Sequence, residues 1–474
     1  MYKVVIGLEV HCELQTNSKV FSSSKNTYSS DPNSHVSAVD LGLPGVLPVT
    51  NEEAVKKALK SAMALNCKTP DEILFDRKNY FYPDLPKGFQ ITQVTKPMGK
   101  NGYLMINVDG TDKKVGIRQL HLEEDTASLD HYGSYSLIDY NRSGIPLIEI
   151  VTEPCMNSAE EALAFLEALR SVFLYCEVSE AKSDKGQMRC DVNISLMEEN
   201  STKMGTKVEI KNINSFGNVK EAIKYEIKRQ TEILQSGGTV VQETRRYDDE
   251  DMKTYSMRNK VDAIDYKYYV EPNLVPVKLS NEYLEEIRKE IPPLQYERIN
   301  KYMTDYGLSR YDATILVKEK AIAEYFEETI KEGADPKLSS NWITSVILGH
   351  LNKYELSITD IFVTPKMLTN LIKMVNDKVI SSKQGKEVLY KALTEEKEPA
   401  VIVKESGMKQ IVDDNVIEKF VLEVLDENPN VVLQYKNGKT NVIDFLVGQV
   451  MKKSRGQANP AMTMKMIKEQ IEKR

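Results

Sequence analysis

The sequence predicts an α+β fold in which a largely antiparallel sheet forms a cradle, followed by an all-α helical domain and a small helical tail domain. Three observations predict it. Up to about residue 275, short β-like runs alternate with Gly, Pro and Asn turns and only two strong helical periods. From about 295 to 395 helical periods dominate, with breaks at Gly307, Gly333 to Pro336 and Pro365. After the charged segment TEEKEPA (394–400), a last helical piece runs into FLVGQVMKKSRGQANPAM (445–462). The boundaries follow as 1–293 for the cradle, 294–397 for the helical domain and 398–474 for the tail, with Pro292-Pro293 closing the first part.

Each element has its own reason. In VIGLEVHCEL, strand alternation puts Ile6, Leu8, Val10, Cys12 and Leu14 on one face and Gly7, Glu9, His11 and Glu13 on the other. Ser158 followed by Glu161 reads as a capping box, and Ala162, Phe165, Leu166, Leu169, Val172 and Phe173 recur behind it, so a helix is expected over 158–175. In MRCDVNIS, Cys190, Val192, Ile194 and Leu196 share an apolar face, which leaves Arg189, Asp191, Asn193 and Ser195 opposite. The next strand sends Val208 and Ile210 inward and Lys207, Glu209 and Lys211 outward, and MEENSTKMG between the two can close a hairpin. A second helix is expected over 218–235, stopped by Gly237-Gly238, which suits a left-handed C-cap.

Composition sets limits. The 474 residues are 41% apolar and 28% charged, an ordinary globular balance. No apolar stretch approaches the ~18 to 20 residues of a bilayer span, and MYKVVIGLEV meets Glu9 before a signal-peptide core can form, so a cytoplasmic protein without membrane contact is expected. The five cysteines are far apart and lack a C-x-x-C pair, which excludes a disulfide framework or a cysteine zinc site. The net charge is −7, but residues 436–474 hold nine basic against three acidic side chains, a local +6 that leaves −13 for the rest. That asymmetry suits contact with a polyanion, through Lys452, Lys453 and Arg455 among others.

The polar strand faces hold the candidate chemistry. Glu149, inside IPLIEIV, must be exposed on one side, paired or bound to a cation, because burying a lone carboxylate is too costly. HLEED (121–125) adds three carboxylates, although alternation separates Glu124 from Glu123 and Asp125. If Glu9, Glu124, Glu149, Asp191 and Glu209 converged, each pair at ~4 Å would repel by ~4 kcal/mol at an effective dielectric of ~20. Such a cluster requires a cation. Oxygen ligands with one imidazole favour Mg²⁺ or Mn²⁺, with a His-carboxylate zinc site left open. Arg189, Lys207 and Lys211 would then suit phosphate oxygens, although no Walker A or G-x-G-x-x-G motif occurs. The same face also reads as a merely solvated one.

A set of longer strings narrows this: VIGLEVHCEL, DLGLPGVLPVTN (40–51), DRKNYFYPDLPKGFQIT (76–92), HLEED, DYNRSGIPLIEIVTEP (139–154), MRCDVNIS, GTKVEIKNINSF (205–216) and QETRRYDD (242–249). With SSNW and FLVGQVMKKSRGQANP further on, the chain resembles, nearly end to end, the B-subunit family of the bacterial aspartyl/glutamyl-tRNA amidotransferases. The resemblance implies an ATP-dependent carbon-nitrogen ligase that converts misacylated Glu-tRNA(Gln) or Asp-tRNA(Asn) to the amide. It implies that ATP phosphorylates the side-chain carboxylate and that ammonia displaces the phosphate. It also implies two partners: the A subunit, an amidase-type glutaminase that supplies the ammonia, and a small C subunit. On this resemblance His11, Glu124 and Glu149 match Mg²⁺-associated positions, and Glu9, Asp191 and Glu209 match acidic positions of the same pocket. Arg189, Lys207, Lys211 and Arg245 are phosphate or carboxylate candidates placed in its neighbourhood. The alternative reading is a noncatalytic tRNA-binding scaffold.

The chain departs from the family in one respect that matters below. Many members carry two cysteine pairs near the N-terminus that bind zinc, and the matching positions here are Ser22, Ser24, Ser37 and Asp40. Structural zinc is therefore not expected.

Overall fold

Strand β1 (Tyr2–Glu13) runs through the middle of an eight-stranded sheet. The computed structural model describes residues 2–29, 31–259, 265–406, 414–454 and 457–473. The remaining strands are β2 (Glu72–Ile73), β3 (Asp76–Asn79), β4 (Phe89–Thr92), β5 (Gly99–Val108), β6 (Thr111–Glu124), β7 (Ser128–Tyr132), β8 (Tyr135–Asp139), β9 (Pro146–Thr152), β10 (Met188–Glu198), β11 (Val208–Lys211), β12 (Glu243–Asp248), β13 (Lys253–Asn259), β14 (Tyr269–Val270) and β15 (Val277–Lys278). The large sheet has the order β13-β12-β11-β10-β1-β9-β6-β5. Every neighbouring pair is antiparallel except β11 with β12. A parallel pair needs a crossover, and helix α3 (Phe216–Gln235) supplies it. Strands β14, β3 and β4 form a smaller sheet, and β7 and β8 form a hairpin of their own.

The apolar strand faces lie where alternation put them. Ile6, Leu8, Val10 and Cys12 of β1 are buried together with Ile148, Ile150, Val192, Ile194, Val208 and Ile210 of its neighbours. They share one core with α1 (Glu52–Ala64), α2 (Ala159–Tyr175) and α3, so these helices close one side of the sheet and leave the other to polar side chains. Both expected helices form. The hydroxyl of Ser158 accepts from Glu161 N–H at 3.1 Å, but the return half of the expected capping box is replaced. The Glu161 carboxylate turns instead to Asn157 N–H at 2.6 Å and to Lys113. At the end of α3, Gly237 adopts φ +79° and Gly238 N–H returns to the Ile233 carbonyl at 2.9 Å, a C-terminal wrap that the glycine pair permits.

The chain forms two compact units, Met1–Tyr296 and Glu297–Arg474. The first also holds α4 (Asn281–Lys289). The second is helical: α5 (Gln295–Asp305, which begins at the boundary), α6 (Arg310–Leu316), α7 (Lys320–Lys331), α8 (Pro336–Trp342), a π-helical turn at Ile343–Ile347, α9 (Leu348–Tyr354), α10 (Pro365–Asn376), α11 (Ser382–Glu395), α12 (Pro399–Glu405), α13 (Asp414–Glu427), α14 (Pro429–Lys436), α15 (Ile443–Lys453) and α16 (Pro460–Lys473). Within it lie two separate apolar clusters. One is built on Tyr302, Phe326 and Trp342 and includes Ile402 of α12; the other joins Val421, Val424, Leu446 and Ile467. Trp342 is fully buried, as a core residue should be.

Candidate active site on the open face of the sheet

Register decides which polar side chains meet on the uncovered face. On one side of β1, Glu9 stands opposite Asp191 and His11 opposite Arg189. On the other side, His11 stands opposite Glu149, and Glu149 in turn opposite His121 of β6. Four strands thus deliver acids and imidazoles to one patch.

Glu149 is its centre. Its Oε2 lies 3.4 Å from His11 Nε2 and 3.4 Å from His121 Nε2. Glu9 Oε1 lies 4.0 Å from His11 Nε2, and Glu123 Oε2 lies 3.3 Å from His121 Nε2. Two sets of ligand-type atoms therefore fall within 4.8 Å of one another, Glu9 with His11 and Glu149, and His121 with Glu123 and Glu149. Both sets share Glu149.

The charges in this patch shape one another. Burial pushes His121 toward the neutral form, yet the carboxylates of Glu149 and Glu123 outweigh it and hold the imidazolium up to about pKa 10. His11 is raised in the same way, with Glu149 as its main support against burial. Burial acts upward on Glu149, but His121 and His11 hold its carboxyl well below the usual range. Glu9 is raised, first by burial and then by the charge of Glu149.

A ring of cations and further acids borders the patch. Lys211 Nζ lies 2.5 Å from Asp191 Oδ2 and 3.4 Å from Glu209 Oε1, and Glu209 also accepts from the Thr244 hydroxyl at 3.0 Å. Burial would lower Lys211, but Asp191 overrides it and raises its pKa. Arg189 Nη2 lies 2.8 Å from Asp125 Oδ2. Beside them, burial and then Asp125 push the Glu13 carboxyl up to about 7. Lys207 is exposed just before β11.

Two expected members face elsewhere. Glu124 follows Glu123 on β6 and so points to the opposite side of the strand, where it is 2% exposed. There its Oε1 lies 2.6 Å from Lys87 Nζ and accepts from Ile91 N–H at 2.8 Å, and it belongs to neither set of ligand atoms. Arg245 pairs in register with Ile210, which puts it on the helix-covered side. It is engaged there by Glu243 at 2.6 Å, Glu226 of α3 at 3.1 Å and Thr254, apart from the acidic patch. In the tail, Lys452 is exposed, while Lys453 pairs with Glu423 at 3.1 Å and Glu427 at 2.7 Å. Arg455 lies outside the described residues.

Three residues that the sequence reading did not assign to the site belong to the patch or border it. His121 and Glu123 complete the second ligand set, and the alternation of HLEED itself carries that signal, because His121 shares a face with Glu123. Lys78 of β3 is the third. Its ammonium stands 4.9 Å from the centre of the Tyr266 ring and 5.8 Å from that of Tyr80. Burial opposes its charge, and Glu123, Tyr268 and Glu149 more than offset that, raising its pKa. No carboxylate pairs with it at ion-pair distance among the described residues, so its charge stays available to a ligand anion.

The donor set fits a divalent cation. Carboxylate oxygens with imidazole nitrogens at this spacing, without thiolates, are ligands of Mg²⁺, Mn²⁺ or a His-carboxylate zinc. The adjoining lysines and Arg189 suit oxyanions.

Comparison with known proteins identifies the family. Residues 4–285 match the family model described as the GatB/GatE catalytic domain, and residues 324–471 match the one described as the GatB domain. Across all 474 residues, and the full length of each relative, the chain is 50% identical to the B subunit of the aspartyl/glutamyl-tRNA(Asn/Gln) amidotransferase of Geobacillus thermodenitrificans (strain NG80-2) and 49% identical to that of Geobacillus kaustophilus (strain HTA426). The same protein of Halalkalibacterium halodurans is 48% identical over the same span. The open acidic face lies wholly within the first match, and the chain belongs to the B-subunit family of the aspartyl/glutamyl-tRNA(Asn/Gln) amidotransferases.

Proposed function

We propose that the open sheet face is the site at which ATP activates the side-chain carboxylate of Glu-tRNA(Gln) or Asp-tRNA(Asn) for amidation. The convergence of two imidazoles on one oxygen of Glu149, bordered by lysines, carries this reading. A carboxylate resists attack by ammonia because oxide does not leave. Activation solves this: a carboxylate oxygen bonds to the γ-phosphorus of ATP, the bond to the bridging oxygen breaks, and ADP departs. The ammonia lone pair then attacks the acyl carbon, the bond to the phosphate oxygen breaks, and the nitrogen sheds a proton. Little of this is covalent work for the protein, so positioning and charge stabilisation dominate.

The residues divide that work. Glu149, His11 and Glu9, with His121 and Glu123, would hold Mg²⁺, which when bound neutralises phosphoryl charge. Lys78, Lys211 and Arg189 face the oxyanions that develop as the phosphoryl group moves. The proton that the nitrogen sheds passes to the departing phosphate. The names of the relatives denote one part of a larger enzyme; the partners proposed on the family resemblance are the A subunit, a glutaminase that is the ammonia source, and a small C subunit. The tail, proposed as a separate domain from 398 onward, would contact tRNA through Lys452 and neighbouring basic residues.

Phosphate release from ATP by the assembled enzyme, with misacylated tRNA and external ammonia, tests the assignment. Glu149→Gln should stop both phosphate release and amide formation. Full activity in that variant would move the chemistry to another place.

A further inference from the structure

We propose that a buried lysine ammonium, Lys19 paired with Asp40, takes the place of a structural metal ion in the N-terminal loop and makes this chain's fold independent of zinc. The inference does not depend on the catalytic reading.

Lys19 is 0% exposed and Asp40 4%. Their charged groups lie 3.5 Å apart, Nζ to Oδ2, and Lys19 also donates to the Tyr140 carbonyl at 3.2 Å. The Asp40 carboxylate gathers three serines of the loop. It accepts from the hydroxyls of Ser22 at 2.7 Å, Ser24 at 2.5 Å and Ser37 at 3.0 Å, and from Ser37 N–H at 2.8 Å. On the family resemblance these four positions match those at which many members carry zinc cysteines, and here the three serines converge on the Asp40 anion. Three neutral hydroxyls and one carboxylate already saturated by hydrogen bonds make a poor zinc shell, because structural zinc is held by thiolate or imidazole ligands. One buried positive charge is present all the same, supplied by the chain.

Burial lowers the Lys19 pKa, with Asp40 acting against it. Burial would raise Asp40, but Ser24, Ser22 and Lys19 hold it below the usual range. The pair anchors the loop to the rest of the sheet. Val20 N–H donates to the Gly144 carbonyl at 3.0 Å, and Gly144 N–H donates to the Asp125 carbonyl at 2.9 Å. A Cβ at Gly144, where φ is +86°, would stand 3.1 Å from Asp40 Oδ1 and 3.3 Å from the Lys19 chain, so glycine lets the backbone close over the pair.

The test uses the full chain carrying Glu149→Gln, which removes the carboxylate shared by both ligand sets of the open face, produced with zinc in the medium. Elemental analysis should find substoichiometric zinc, and a strong chelator should leave the melting temperature unchanged. Lys19→Met and Asp40→Asn should each lower the melting temperature by roughly 5 °C or more, because each leaves one buried charge alone. The double variant Lys19→Met/Asp40→Asn should lose less than the sum of the two. Stoichiometric zinc whose removal lowers the melting temperature would overturn the proposal. So would strictly additive losses in the double variant. If neither single variant folds, a folded double variant supports the pairing, and an unfolded one with zinc in the parent chain refutes it.

Discussion

His121 and Glu149 meet across the β6–β9 pair with Nε2 and Oε2 3.4 Å apart, and His11 reaches the same oxygen from the other side at the same distance. One carboxylate therefore holds two imidazolium-prone rings. On the proposed reading the arrangement is a proton-loaded form of a cation site, and a divalent ion binding there has to displace those protons.

A pH dependence follows, and its sign is fixed. The folded His121 value, about 10, lies above the ordinary 6.5, so in metal-free protein its contribution to stability is complete below pH 6.5 and is lost as pH rises toward 10. Cation affinity runs the other way, rising about tenfold per pH unit for each proton displaced. Calorimetric titration of Mn²⁺ into the chain, in buffers of different ionisation enthalpy between about pH 7 and 9, should show proton release and tightening affinity. An affinity independent of pH would contradict it.

Lys78 is expected to act on the anion and not on the fold. Lys78→Met should reduce kcat/KM for ATP-dependent amidation by about 100-fold, the scale of losing one preorganised charge at a transferring group. The melting temperature should fall only modestly, by the loss of the ring contact and of the attraction of Glu123 and Glu149, while the protein stays folded at the assay temperature. Steady-state kinetics beside a thermal melt separate the two effects.

Glu124 should behave in the opposite way. Its partners are Lys87 and Ile91 N–H, so Glu124→Gln strands a buried ammonium and should cost about 3 kcal/mol of stability. Mn²⁺ affinity should remain within about twofold of the parent, because Glu124 lies outside both ligand sets. Denaturant unfolding and metal titration on the same sample check both halves.

The tail makes a separate prediction. Removing residues 414–474 takes away a self-contained apolar cluster together with the basic surplus. Binding of tRNA should weaken, and the slope of log affinity against log salt should flatten by about 0.7 to 0.9 for each phosphate no longer neutralised. An unchanged slope would exclude the tail from the RNA interface.

Much of this was legible in the sequence. The alternation of VIGLEVHCEL, MRCDVNIS and VEIK fixed the faces of β1, β10 and β11, and so brought Glu9, His11, Asp191 and Lys211 to one side. What stayed hidden is long-range register. HLEED offers two adjacent glutamates, and only the pairing of His121 with Glu149 decides that Glu123 faces the patch while Glu124 faces away. QETRRYDD likewise offers two adjacent arginines, and the parallel match of Ile210 with Arg245 sends that one against Glu226. Lys78 is invisible locally, because the Tyr266 ring that flanks it comes from far along the chain. The Glu161 carboxylate left its capping position because Lys113 and Asn157 N–H offered two partners where the box offers one.

The most direct measurement compares Glu149→Gln with Glu124→Gln in the assembled enzyme, following phosphate release from ATP with Glu-tRNA(Gln), Mg²⁺ and external ammonia. The sheet register predicts that Glu149→Gln abolishes release while Glu124→Gln, assayed below its melting transition, retains it. Loss of release in Glu124→Gln with full activity in Glu149→Gln would contradict the placement of the chemistry on the open face.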